Sequence, residues 1–351
     1  MFDSNSILLT LKPLLIRKIG AVFYLYEGNE FYVNLEERIF MTKDNLLSVY
    51  NRVQPHIHKT PVLSSRLINE IAGCEVCLKC ENFQKGGSYK IRGATNAILQ
   101  LSEEQRSRGV VTHSSGNFAQ AVSLSAKNLG VSAYIVMPTN APKAKKAGTI
   151  AYDGIITECE PTIQARERES AKIQQEKGAA FLHPSNQLEV IHGQGTASYE
   201  LIHQEENFDY IITPVGGGGL IAGTCLFMKE FSPNTKVIGA EPFEVDDAYR
   251  SLQSGKIETN ETTNTIADGL RTHLGNHNFP IIKEHVDRII RVTEEEIIAA
   301  MKLVWERMKI IIEPSSAVSV AAVLRETELF KGKKVGVIIS GGNVDVADLP
   351  F

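Results

Sequence analysis

From about residue 110 to the carboxyl end, short apolar runs alternate with longer stretches in which apolar residues recur at helical spacing. The runs are GVVTHSS, SAYIVMP, GIITECE, AAFLHPS, DYIITPVGGGG, KVIGAEP and KVGVIISGGN, each followed by helix-like sequence. Continuous runs rich in Val and Ile belong to strands buried on both faces, and such strands alternating with helices build βα units and parallel sheets. The pattern therefore predicts an α/β fold. Several runs end in Gly, Ser or Asn, and ligands of open α/β sheets bind beyond the carboxyl ends of the strands. The glycines mark a site.

The beginning of the chain has a different character. Residues 21–34, AVFYLYEGNEFYVN, set two aromatic and β-branched runs around Glu27-Gly28-Asn29, which predicts a small hairpin in an extension covering residues 1–40. After Met41 an amphipathic helix, LLSVYNRVQPHI, opens the continuous body of the protein. No internal repeat, low-complexity tract or Pro-rich linker interrupts that body.

Composition narrows the function. With 351 residues, 43% hydrophobic and 22% charged, the chain supports a large α/β core or two modest domains, and disorder is not the default reading. A net charge of -4 provides no basic field for nucleic acid or an anionic membrane, so the expected partner is a small-molecule substrate. The cysteines, Cys74, Cys77, Cys80, Cys159 and Cys225, are odd in number, which argues for a reducing compartment and a cytoplasmic location. Asp3, Lys12, Pro13, Arg17 and Lys18 break the stretch Met1 to Ile19 before it reaches signal-peptide or membrane-spanning length.

Chemistry concentrates in a few segments. In ENFQKGGSYKIRGA (residues 81–94) a strand meets the Gly86-Gly87 turn and a helix opens at Ser88, so Lys90 falls in its first turn. The positive end of the helix dipole disfavours the ammonium form and favours the neutral amine that imine formation needs, although most lysines are simply solvated. Gly216, Gly217, Gly218 and Gly219 follow a buried run and precede a helix, where backbone N–H groups make an anion cradle or a tight turn. Ser114-Ser115-Gly116-Asn117 opens another helix, either as an ordinary serine cap or as a set of donors facing a cleft.

Glu241, Asp246 and Asp247 lie about the end of KVIGAE, and such oxygen ligands suit Mg²⁺ or Ca²⁺ where they are not a solvated acidic turn. Cys74, Cys77 and Cys80 recur at every third position and invite a zinc or iron–sulfur reading. In a strand, however, side chains three apart face opposite sides, and no fourth ligand follows, so buried thiols are expected. Trp305 reads as core packing.

SYKIRGA, SSGNFAQA, PVGGGGL and SGGN stand in the order and context of the fold type II, tryptophan synthase β-like enzymes that use pyridoxal 5′-phosphate (PLP). The chain resembles the serine racemase and serine/threonine dehydratase family from about Met41 to its end. The resemblance implies two parallel-rich α/β domains with the active site in their cleft: a large domain from residues 41–108 and 187–351, and a small one from 109–186. It implies PLP held by Lys90 as a Schiff base, with its phosphate on Gly216 to Gly219, its phenolic oxygen on Asn117 and its pyridine nitrogen on Ser340. The substrate carboxylate falls to Ser114, Ser115, Gly116 and Asn117, with Arg166 near the mouth and an acid, Glu313, near the cofactor. Glu241, the carbonyl of Val245 and Asp247 match the ligands of a cation, Mg²⁺ or else Ca²⁺ or Mn²⁺. Relatives are commonly homodimers.

Two positions depart from the family pattern. Phe118 stands where His is usual and Tyr89 where Phe is more usual, which puts substrate preference in doubt rather than cofactor binding. The implied reaction is dehydration of L-serine or L-threonine to a keto acid and ammonia, with Lys90 as general base, and racemisation where Ser115 supplies a proton from the opposite face. Serine racemisation as the main activity and hydroxyaspartate dehydration are the alternatives. A transferase of the cysteine synthase kind and a catalytically inactive PLP-binding protein rank below them, because the motifs of the first read differently and Lys90, Asn117 and Ser340 are intact.

Overall fold

The computed structural model of the chain describes residues 21–26, 29–34, 41–141 and 143–351; the Met1 to Ile19 stretch, too interrupted for the expectation of an export signal, falls outside them. In the unit Met1–Met41, β1 (Ala21–Tyr26) pairs antiparallel with β2 (Asn29–Asn34), from Tyr26 opposite Asn29 to Ala21 opposite Asn34. This is the hairpin that the aromatic runs predict, with Asn29 already in the second strand.

The unit Thr42–Phe351 carries two further sheets. Its strands are β3 (Val62–Leu63), β4 (Glu75–Cys80), β5 (Val110–His113), β6 (Ala133–Pro138), β7 (Ile155–Cys159), β8 (Ala180–Phe181), β9 (Tyr210–Pro214), β10 (Lys236–Pro242), β11 (Val286–Val292) and β12 (Lys334–Ile339). The larger sheet has the order β11-β10-β9-β12-β4-β3 and is parallel except for the β3–β4 pair. The smaller, β7-β6-β5-β8, is parallel throughout. Every predicted apolar run contributes a strand, but the last, β12, is followed only by a short 3-10 turn at Val346–Asp348 rather than a helix.

Strand β4 shows how the pattern works. Cys74, Val76, Leu78 and Cys80 join the core of the larger sheet, while Cys77 and Lys79 point to its other face. The cysteines are therefore split between two faces, all are free and buried, and burial pushes the Cys80 thiol up to about 12. A metal cluster from the three is ruled out by this geometry. Trp305 packs against the same core and donates from Nε1 to the carbonyl of Ile312 at 3.0 Å.

A second core lies under the smaller sheet. It gathers Ile91, Ala94, Ala97 and Ile98 from the helix Lys90–Leu99 together with Phe118, Ala121 and Val122 from the helix Asn117–Asn128. The helix that begins at Lys90 shares this core and also packs backbone to backbone on the helix Leu188–Gln204 of the 187–351 segment. Among the described residues no helix is long and apolar enough to cross a membrane.

Candidate active site

The helix carrying Lys90 begins at Lys90 itself rather than at Ser88. Ser88 is extended, with φ -162° and ψ 159°, because it bridges to Gly341 beyond β12, and the N–H of Tyr89 donates to the carbonyl of Ser340 at 3.0 Å. The preceding turn needs glycine: Gly86 and Gly87 both have φ of +72°, a left-handed conformation that disfavours other residues. A Cβ on Gly87 would also lie 2.3 Å from Oδ1 of Asn343.

Lys90 is part-buried and its Nζ donates to the carbonyl of Pro184 at 2.9 Å. The ring of Tyr89 lies 5.0 Å from Nζ and that of Phe118 5.8 Å. Burial lowers its pKa to about 8, with the carboxylate of Glu313 acting in the opposite direction. Such an amine loses its proton close to neutrality, as an amine that must attack a carbonyl requires. Phe118 is only 2% exposed and is a core side chain over the lysine, so the position carries packing here instead of a polar group.

The loop after β5 leads into the helix Asn117–Asn128, whose N-cap is Gly116 with no side-chain cap. The ordinary serine cap is absent: Ser114 Oγ accepts only from the N–H of Gly116, at 3.4 Å, and the hydroxyl of Ser115 makes no hydrogen bond among the described residues. Asn117 donates from Nδ2 to both carboxylate oxygens of Glu313, at 2.9 and 3.1 Å, and accepts at Oδ1 from Asn343 at 3.0 Å. Glu313 is 4% exposed; burial, then Asp268, raises its pKa to about 7 while Asn117 restrains it. Ser340 ends β12 with its hydroxyl 3.0 Å from that of Ser316, which in turn donates to the carbonyl of Gly341 at 2.7 Å.

Gly216 to Gly219 join β9 to the helix Gly219–Phe231, with Gly218 at φ 78° as its N-cap. Room is absent on the protein side: a Cβ on Gly217 would lie 2.3 Å from Oγ of Ser185, and one on Gly219 2.4 Å from Oε1 of Gln194. Asn278 ties the loop down by donating to the carbonyls of Gly217, at 2.7 Å, and Ser185, at 3.0 Å. The N–H groups of Gly216, Gly217 and Gly218 have no acceptor among the described residues. Free N–H groups at a helix N-terminus fit a phosphate. With an amine of lowered pKa at Lys90 and a buried neutral hydroxyl at Ser340, the residues present fit PLP.

The knuckle His183-Pro184-Ser185-Asn186 was missed in the sequence, where AAFLHPS reads only as a strand. Its Pro184 carbonyl holds Lys90, its Ser185 packs under the glycine loop, and Nδ1 of His183 accepts from the N–H groups of Ser185 at 3.2 Å and Asn186 at 2.9 Å. Burial, with His113 and Lys90 nearby, lowers the pKa of His183 to about 4, so it is a neutral ring with its proton on Nε2. The only signal available was the Pro and Ser that end a short apolar run.

Two groups of expected residues lie elsewhere. Arg166, on the helix Ile163–Lys177, sits by His113 and Cys159, and no described contact ties it to Lys90 or to the loop Ser114–Asn117. Its Nε is buried without an acceptor among the described residues. Glu241 and Asp247 are buried beside each other beyond the glycine loop. Burial and then Asp247 hold the Glu241 carboxyl well above its ordinary value, and burial raises Asp247 to about 6. Glu241 accepts from the N–H groups of Ala248 and Tyr249, at 3.2 and 2.8 Å, and Asp247 from Asn260 at 2.6 Å and the N–H of Leu274 at 3.2 Å. Paired buried acids with no cationic side chain bonded to them fit a divalent cation. Val245 is buried in the short turn between them.

The family described as "Pyridoxal-phosphate dependent enzyme" matches residues 53–341. The chain is 52% identical over 321 residues to a serine racemase of Dictyostelium discoideum, covering 90% of this chain and 98% of that protein. It is 46% identical to a β-hydroxyaspartate dehydratase of Paracoccus denitrificans (strain Pd 1222), covering 88% and 98%. The crystal structure of the Dictyostelium serine racemase superposes with a TM-score of 0.83 at 54% identity, covering 87% of this chain and 99% of that one. Sequence, fold and the geometry around Lys90 agree, and the chain belongs to the pyridoxal-phosphate dependent enzyme family, with the fold type II architecture.

Proposed function

We propose that the protein is a lyase and isomerase of small β-hydroxy amino acids, converting L-serine or L-threonine to a keto acid and ammonia, with Lys90 holding PLP. The observation that carries this reading is the Lys90 amine, part-buried, held by the Pro184 carbonyl and lowered to about 8. When bound, PLP supplies an electron sink for negative charge at the substrate α-carbon. The protein's own residues do the rest. Lys90 takes the α-proton at Nζ, Ser114 to Asn117 bind the carboxylate through the loop after β5, and Gly216 to Gly219 hold the cofactor phosphate. Asn117 and Ser340 orient the ring, and Glu313 sets the charge around them through Asn117.

The unbonded hydroxyl of Ser115 favours racemisation beside elimination, because it is the group on that loop able to give a proton from the other face. A second reading, hydroxyaspartate dehydration, is supported by the 46% identity to a β-hydroxyaspartate dehydratase. In the same reading Glu241, the Val245 carbonyl and Asp247 hold Mg²⁺, or else Ca²⁺ or Mn²⁺. The same reading makes the protein a homodimer of the cytoplasm, a location supported by its odd number of cysteines, which does not suit a disulfide framework.

Incubation of the PLP-loaded protein with L-serine, L-threonine and L-threo-hydroxyaspartate, with keto-acid, ammonia and chiral readouts, tests the assignment. Keto acid and ammonia from a β-hydroxy substrate support the lyase, and D-serine from L-serine adds the isomerase. No product from any of the three contradicts the assignment.

A further inference from the structure

Four charged side chains beside Lys90 take no part in the chemistry above: Lys79, Glu81, Arg92 and Glu200. All four are at most 1% exposed. Arg92, two residues past Lys90 in the same helix, donates from Nε to Glu81 Oε2 at 2.7 Å and from Nη2 to Glu81 Oε1 and Glu200 Oε2, both at 2.8 Å. Its Nη1 donates to Glu200 Oε1 at 3.0 Å and to Thr196 Oγ1 at 3.3 Å. Lys79 donates to the carbonyl of Thr60 at 2.8 Å and to Glu200 Oε2 and Gln204 Oε1, both at 2.7 Å. Every N–H of the guanidinium and the ammonium is used, and the four charges cancel.

Such a group is a poor device for stability. The cost of removing the charges from water offsets most of their attraction, and apolar side chains of the same volume often serve as well. What it resists is displacement, because a shift that separates one partner leaves a charge unpaired in the interior. Apolar packing does not have that directionality.

The quartet spans the elements that locate Lys90. Lys79 is on β4, Glu81 on the turn after it, Arg92 at the start of the lysine's helix, and Glu200 on the helix Leu188–Gln204, which follows the Pro184 knuckle. The two helices touch backbone to backbone, since a Cβ on Gly193 would lie 2.6 Å from the carbonyl oxygen of Arg92 and 2.8 Å from Cα of Gly93. The root of the Lys90 side chain and the carbonyl holding its amine are therefore fixed to one frame.

We propose that the Arg92–Glu81–Glu200–Lys79 quartet is a positioning device for Lys90, holding the first turn of its helix in register with the Pro184 carbonyl. The inference rests on Lys90 being the lysine that carries PLP. Its test uses the full-chain, PLP-loaded protein in four forms: wild type, Lys90→Ala, Arg92→Lys and the apolar quadruple Lys79→Met/Glu81→Leu/Arg92→Met/Glu200→Leu. The readouts are the thermal midpoint, the absorbance band of the lysine-linked cofactor with its pH titration, and kcat and KM.

The quadruple variant folds with a midpoint near that of wild type, yet kcat falls about 100-fold with little change in KM, the cost of misplacing a reacting group by about 1 Å. The pH titration of the cofactor band shifts with it. Arg92→Lys, which keeps the charge but loses the fork, shifts in the same direction, and it decides the matter if the quadruple does not fold. Variants that fold and keep wild-type kcat and titration overturn the positioning role alone. A lysine-linked cofactor band that persists in Lys90→Ala overturns the assignment of Lys90 and this proposal with it.

Discussion

At Lys90 two effects oppose each other: burial removes the proton, and the carboxylate of Glu313 retains it. Burial wins, so the amine is uncharged above about 8, whereas an ordinary lysine stays charged to about 10.4. Stopped-flow absorbance should show PLP capture by the cofactor-stripped protein rising through a midpoint near pH 8 and levelling off; a rate still climbing at pH 10 contradicts this. Glu313→Gln removes the group that retains the proton, so the midpoint moves to lower pH in the same measurement. Lys90, Asn117, Ser340 and the glycines were legible in the sequence because short motifs of unusual composition carry them. His183 and Pro184 were not, since their parts are played by a backbone carbonyl and a fixed tautomer that any residue order of that kind conceals. The partners of Arg92 were equally hidden, because they come from segments more than 100 residues apart, as Arg92 and Glu200 are.

The elements follow the apolar periodicity closely, and the exceptions have local causes. The amphipathic helix after Met41 runs Lys43–Val53 and then tightens to a 3-10 turn over Gln54–His56, because Pro55 cannot donate to a continuing helix. The helix expected from Ser88 starts later because a tertiary bridge to Gly341 keeps Ser88 extended, a contact that local sequence does not announce. Where helices cross, glycine sets the distance. A Cβ on Gly195 would lie 2.4 Å from the carbonyl oxygen of Gly223, and backbone cannot move aside as a flexible side chain does. Gly195→Ala should therefore destabilise the fold by about 1–3 kcal/mol, read as a lower urea midpoint. An unchanged midpoint would mean that the helices separate freely.

Across the whole molecule, polar contacts link the two sheets near Lys90. Asn117, from the helix after β5, reaches Glu313 and Asn343, and Lys145, on the helix Lys143–Ala151, pairs with Asp268. The candidate cation site connects to the same region through the loop at Leu274. Asp247 accepts from the N–H of Leu274, Gly275 donates to Asn278 at 3.0 Å, and Asn278 holds the carbonyl of Gly217. A cation that binds only the native state raises its stability by mass action. Mg²⁺ should raise the thermal midpoint of the wild type in a concentration-dependent way, EDTA should reverse the rise, and Glu241→Gln should abolish it; an equal rise in that variant would place the cation elsewhere. The two-sheet α/β organisation was readable from the order of apolar runs. The packing of the Lys90 helix between the helices Asn117–Asn128 and Leu188–Gln204 was not, because it depends on which face of that helix each neighbour receives. The most direct test of the central claim is borohydride reduction of the PLP-loaded protein followed by peptide mapping with mass spectrometry. The account predicts one phosphopyridoxyl group, on Lys90, with none retained by Lys90→Ala; a group on another lysine, or none in the wild type, would contradict it.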